Sequence, residues 1–143
     1  ARGYSMTMSA TKTMPSHALI LGERRIAVSP IGGLLRFTGR LEVGNYSMEP
    51  NPVWLQRIEN SAREYLRLDE KLDVKETWAG LRPTTPDGMP IIGKSPNHSN
   101  LFLATGHAML GLSLGPGTGQ VVAEMLNGQE PAVSLSPMRL GRF

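Results

Sequence analysis

Hydrophobic and polar positions change period several times along the chain, and each change marks an element. Tyr4, Met6 and Met8 alternate with small polar residues, the two-residue period of a half-buried strand. A frayed terminus is the alternative for this opening stretch. Short apolar runs at 19–21 and 26–28 are separated by Gly22 and a charged turn, Glu23 to Arg25. A second turn signal, Pro30 to Gly33, precedes runs at 34–38 and 41–43, so an antiparallel meander is the simplest arrangement. Arg36, Arg40 and Glu42 alternate with apolar residues there, as the solvated face of a sheet would.

The period then becomes helical. Asn51 and Pro52 form a start signal, a capping side chain followed by proline at the first helical position. Trp54, Leu55, Ile58, Ala62, Tyr65 and Leu66 recur at three- and four-residue spacing, predicting an amphipathic helix over 52–66 that lies on the sheet. Trp54 and Tyr65 fall on its apolar stripe and read as core. A strand over 74–81 carrying Trp78 leads to Arg82, in a loop fixed by Pro83, Pro86 and Pro90 and turned by Asp87-Gly88. Residues 91–92 and 101–104 read as short strands. Beyond Gly106 an apolar stretch including Leu110, Leu112, Leu114, Val121, Val122, Met125 and Leu126 predicts a helix interrupted by glycines and Pro116. Asn127-Gly128 stops it. So apolar a helix requires cover on more than one side, and an exposed sticky face is expected if that cover is missing.

Composition narrows the function. The chain has 143 residues, enough for one domain or part of a larger one, and 40% are hydrophobic, which argues against disorder. A net charge of +3 with no basic run argues against nucleic acid as a partner. Cysteine is absent, which excludes disulfides and thiolate chemistry, and His17, His98 and His107 are too scattered for a metal site. No apolar run spans a membrane. A bacterial cytoplasmic protein is the expectation, with peripheral attachment to the inner membrane left open.

The candidate chemistry lies between Glu76 and Gly119. Arg82 offers a fork suited to gripping a carboxylate through two parallel hydrogen bonds, with a structural pairing to Asp87 as the alternative role. A glycine-rich run, Gly106, Gly111, Gly115, Gly117 and Gly119, leads into the apolar helix and allows backbone to approach an electron-rich ligand. Together they suggest a site where a small acid meets a cofactor.

The stretches WAGLRPTTPDGMPIIG (78–93) and LFLATGHAMLGLSLGPGTGQVVAEML (101–126) resemble the C-terminal part of the FAD-dependent amino-acid oxidoreductases. This is the D-amino acid oxidase and glycine oxidase superfamily, and the likeness is strongest to bacterial D-amino acid dehydrogenases. RGYSMTM at 2–8 and RFTGRLEVG at 36–44 resemble further segments of those enzymes. The resemblance implies hydride removal from the α-carbon of a D-amino acid with FAD as acceptor, giving an imino acid that hydrolyses to a keto acid and ammonia. It implies that Arg82 holds the substrate carboxylate, and that Leu81, Gly106, His107, Ala108, Met109, Leu110, Gly111, Leu112 and Ser113 lie against the flavin. No residue is implied as an acid or base: histidine as a residue type can serve as a base near neutrality, which makes His107 a candidate, but an amine already deprotonated needs no base.

The implied fold is α+β: an antiparallel sheet with an amphipathic helix, plus a glycine-rich turn and helix that complete a Rossmann-like FAD-binding domain. That domain opens with GxGxxG, which this sequence lacks. The expectation is therefore a C-terminal fragment whose FAD-binding half belongs to the same gene product or to a separate chain. Residues 1–92 would belong to the substrate-binding sheet domain, 93–128 would return to the FAD-binding domain, and 129–143 would form a tail. The alternative is a non-catalytic binding or assembly subunit that depends on a nucleotide-binding partner.

Overall fold

The computed structural model describes all residues except Lys12 and Glu70, and the chain divides into two compact units, 1–81 and 82–143. The first is a five-stranded antiparallel sheet with one helix. Its strands are β1 (Arg2–Ser9), β2 (Leu19–Leu21), β3 (Ile26–Ile31), β4 (Leu34–Glu42) and β5 (Val74–Leu81), ordered β2-β3-β4-β1-β5. The predicted meander is β2-β3-β4, and the two apolar runs at 34–38 and 41–43 join into one strand.

Register places the core on one face. Met6 pairs with Phe37, which pairs with Val28, while Met8 pairs with Leu35. The helix α1 (Pro52–Arg63) covers this face with Ile58 and Ala62, both buried. Asn51 caps it as predicted, its Oδ1 accepting from the Val53 amide at 3.0 Å. Gly39 sets how closely the helix sits: a Cβ there would lie 3.1 Å from Ile26 Cγ1 and 3.4 Å from Ile58 Cγ1.

The opening strand is not half-buried. β1 is central, between β4 and β5, so Ser5 and Thr7 on its second face are buried as well as Tyr4, Met6 and Met8. That second face is polar: Arg36 donates from Nε to Thr7 Oγ1 at 2.9 Å and lies 3.5 Å from Glu76. At the edge, the Trp78 ring folds over Gly80, where an added Cβ would fall 1.8 Å from a ring carbon.

Two expectations for this unit fail. Tyr65 lies beyond the end of α1 and is 46% exposed, because the helix ends at Arg63 and the stripe loses its direction. Glu42 is not a solvated sheet charge. A bulge between the Arg2 and Tyr4 pairings, with Arg40 in the left-handed region at φ 66°, turns Glu42 so that its Oε2 accepts from the buried Tyr4 hydroxyl at 2.5 Å. The same bulge lays the Arg40 guanidinium 3.6 Å over the Trp54 ring, with Arg57 at 4.5 Å. Arg2, itself buried, lies 3.9 Å from Glu42 and 4.8 Å from the Tyr4 ring, and donates to the Glu49 carbonyl. Burial, then the bond to Glu42, raises the Tyr4 phenol, and the Tyr4 bond is the main cause holding Glu42 below the usual carboxylate range.

The second unit holds a two-stranded ribbon, β6 (Ile91–Lys94) with β7 (Phe102–Thr105), a 3-10 turn at Ala108–Leu110, and the helix α2 (Gly111–Leu126). α2 is continuous; the expected interruption does not occur. Pro116 lacks the amide that would bond the Leu112 carbonyl, an omission that costs about 3 kcal/mol in a helix interior, yet the helix runs through it. Its end matches the stop signal: Gly128 at φ 71° donates to the Met125 carbonyl, and Gln129 to that of Glu124, the paired bonds of a Schellman motif. No residue of α2 is buried, and Leu112 is 97% exposed, so the expected sticky face is present. Among the described residues no helix is long and apolar enough to cross a membrane. Residues 136–138 and 140–142, expected as tail, form two 3-10 turns.

Candidate functional site

The geometry of the second unit brings the Arg82 loop to the segment that follows β7. The Ala108 amide donates to the Pro83 carbonyl at 3.0 Å, and Thr84 and His107 form an antiparallel bridge. Two sequence-distant stretches, 82–90 and 106–113, thus share one backbone seam.

Glycine is required at the seam. Gly106 is buried at φ 81°, and a Cβ on it would lie 2.8 Å from Thr85 Cγ2. Two residues on, Ala108 takes φ 48°, a left-handed conformation that alanine adopts only at a cost, and such strain gathers at ligand clamps and active sites. This pair of left-handed residues turns the chain out of β7 and into the start of α2. His107 lies between them, half-buried, with Nε2 and Thr118 Oγ1 3.0 Å apart. Thr118 comes from the second turn of α2, so the histidine is tied to the helix that follows it.

Beyond the seam the surface is apolar and open. Met109, Leu110 and Leu112 are 75%, 57% and 97% exposed, and nothing lies within 4 Å of where side chains would stand at Gly115, Gly117 and Gly119. No side chain caps the start of α2, where the helix dipole is positive. Gly115, Gly117 and Gly119, expected to interrupt the helix, lie inside it, and Gly111, Gly115 and Gly119, spaced four residues apart, fall on one of its faces.

Arg82 follows β5 directly and is half-buried. Its backbone is doubly restricted: the residue before a proline avoids the helical region, and Pro83 fixes its own φ. Asp87, the alternative partner considered for it, is bound by Arg142, whose Nε and Nη2 lie 2.7 and 2.9 Å from the two carboxylate oxygens. The Thr85 hydroxyl and the Met89 amide also donate to Asp87, each at 3.1 Å. Arg142 is the first cause of an Asp87 carboxyl held far below the ordinary range. The sequence offered no sign of Arg142: a lone arginine beside a phenylalanine has no spacing to read. Asp87-Gly88 was readable as a turn, whereas Thr85 was not singled out, and Thr118 carries no signal outside the helix that places it. Leu81, the last residue of β5, is 45% exposed.

Residues 106–113 present apolar side chains free of cover and a helix start of positive polarity, a surface suited to an apolar group with an electron-rich edge.

The model of the FAD dependent oxidoreductase family, DAO, matches residues 1–125. A D-amino acid dehydrogenase of Paramagnetospirillum magneticum is 36% identical over 145 aligned positions, covering 100% of this chain and 34% of that protein. One from Dechloromonas aromatica is 35% identical, covering 92% and 32%. The chain therefore spans about a third of the length of these curated relatives. Among solved structures, glycine oxidase from Geobacillus kaustophilus superposes with a TM-score of 0.88 at 25% identity, over 99% of this chain and 38% of that one. The L-amino acid deaminase of Proteus vulgaris, at 20% identity and TM-score 0.81, shares the fold, covering 100% and 36%.

Proposed function

This chain belongs to the FAD dependent oxidoreductase family, and from that premise we propose that it forms the substrate-holding part of a flavoenzyme that oxidatively deaminates a D-amino acid. When bound, FAD accepts the hydride released from the α-carbon of the substrate. The observation that carries the reading is the seam between Pro83 and Ala108, which ties the arginine loop to the glycine-rich segment. A substrate gripped through Arg82 would be held in a fixed position relative to residues 106–113, and orientation of this kind accounts for a large part of enzymatic rate.

Each assigned residue has a physical task. Arg82 binds the substrate carboxylate as a two-pronged donor, and its restricted backbone limits the directions in which it can do so. Gly106, His107, Ala108, Met109, Leu110, Gly111, Leu112 and Ser113, with Leu81, lie against the flavin. Met109, Leu110 and Leu112 give up their exposure to it and exclude water. The amides at the start of α2 favour negative charge on the ring. The Thr118 contact at Nε2 makes His107 a placed residue of this wall, and no acid–base role is assigned to it.

In this reading residues 1–92 belong to the substrate-binding sheet domain, and 93–128 return to an FAD-binding domain supplied by the remainder of a longer protein. The choice of a D-amino acid is supported by the dehydrogenase relatives, whose identity to this chain is higher than that of the glycine oxidase.

The test is anaerobic addition of a panel of D-amino acids, L-amino acids and glycine to the FAD-loaded full-length protein. The expected result is loss of the visible flavin absorbance with D-amino acids and not with their L-isomers. Bleaching by L-isomers alone contradicts the substrate class, and no bleaching by any of them contradicts the activity.

A further inference from the structure

Arg142 is held far more firmly than a surface arginine. Its Nε donates to Asp87 Oδ2 at 2.7 Å, its Nη2 to Asp87 Oδ1 at 2.9 Å and to the Met89 carbonyl at 2.7 Å, and its Nη1 to the Arg139 carbonyl at 3.0 Å. The side chain is 9% exposed, whereas the Arg24–Glu64 pair has both members near half-exposed, the situation in which ion pairs contribute little. A fork that fills two carboxylate oxygens and a carbonyl at once fixes geometry as well as charge.

All three of those acceptors lie in the loop that begins at Arg82. The loop is stiff within itself: Thr85 Oγ1 donates to the Met89 carbonyl at 2.7 Å, and Gly88 at φ 75° closes the turn. Pro83, Pro86 and Pro90 remove backbone freedom along it. A stiff loop moves as a body, so its orientation is set by where it is anchored. It is anchored by the seam to Ala108 at its start, by the β6–β7 ribbon at its end and by Arg142 at its tip.

We propose that Arg142 is a positioning residue for substrate binding, fixing the tip of the 83–90 loop and thereby the direction in which Arg82 meets the substrate carboxylate. The proposal rests on the reading of Arg82 as the carboxylate clamp. It adds that the segment beyond α2 takes part in setting that clamp.

The test compares Arg142→Ala, Asp87→Asn and Arg82→Ala in the FAD-loaded full-length protein. Propionate, a carboxylate with no amine to oxidise, is titrated while the flavin spectrum reports its binding, and steady-state kinetics are run with the D-amino acid that bleaches the flavin. Arg142→Ala is expected to raise both KM and the propionate Kd about tenfold, since a small misplacement of a binding group is costly. FAD content should be unchanged and kcat within about threefold, by the rule that lost ground-state binding appears in KM. Amide exchange across 85–89 should quicken. Asp87→Asn should behave alike, and the double variant should be no worse than the worse single one, because both remove the same contact.

Wild-type KM and Kd in Arg142→Ala, beside an impaired Arg82→Ala, overturn the positioning role and leave the clamp standing. A normal Arg82→Ala overturns both. Loss of FAD together with substrate binding in Arg142→Ala marks a general structural role and also overturns the proposal. Should Arg142→Ala fail to fold, Arg142→Lys, which keeps charge without the fork, decides: an intermediate KM supports positioning and a wild-type KM refutes it.

Discussion

Replacing Arg82 by alanine in the full-length protein is expected to raise the KM for the amino-acid substrate by on the order of 10² to 10³, with FAD retained. Truncating one partner of a charge-assisted pair in a water-poor site costs about 2–5 kcal/mol, because the carboxylate is left without its fork. Arg82→Lys should fall between alanine and wild type, since a lysine keeps the charge and loses the second parallel bond. Steady-state kinetics with a flavin spectrum on the same sample check both halves of the expectation. Unchanged KM in Arg82→Ala would remove the residue from the site.

The second large effect concerns stability. Phe37 is fully buried at the centre of the first unit, paired across β4 with Met6 on one side and Val28 on the other, beneath α1. Phe37→Ala should lower unfolding free energy by about 3–5 kcal/mol, the transfer loss plus the cavity that rigid neighbours leave behind. That is a large share of the roughly 5–15 kcal/mol that holds a domain folded. Phe143→Ala, at a position 66% exposed, should shift the same denaturation midpoint by little, which makes it the control. Equal shifts from the two would mean that the sheet face covered by α1 is not the core.

Much of the first unit was legible because its signals are local. The meander followed from apolar runs and turn residues, and α1 from a cap, a proline and a helical period, all of which act within a few residues. What sequence could not show was which strand would be central. The alternation of Tyr4, Met6 and Met8 gives a buried face, but the burial of Ser5 and Thr7 depends on β5 pairing from more than sixty residues away. Glu42 escaped for the same reason: a bulge at Arg40, in a residue with no left-handed preference, redirected it to Tyr4.

In the second unit, resemblance identified the two stretches and the structure supplied the bonds between them. The Thr84–His107 bridge and the Ala108–Pro83 bond span more than twenty residues and leave no periodic trace. α2 was misread in one respect, since three glycines and a proline suggested a broken helix where a continuous one forms. Propensity is a weak prior for where a helix breaks. Arg142 was wholly hidden, because an arginine reaching back to Asp87 across more than fifty residues has no local pattern.

The central claim is that residues 106–113 lie against the flavin, and amide hydrogen exchange of the full-length protein with and without FAD tests it most directly. FAD is expected to slow exchange across 106–113 while leaving the buried strand β1 unchanged. Equal exchange across 106–113 in the two states, with FAD shown to be bound, would contradict it.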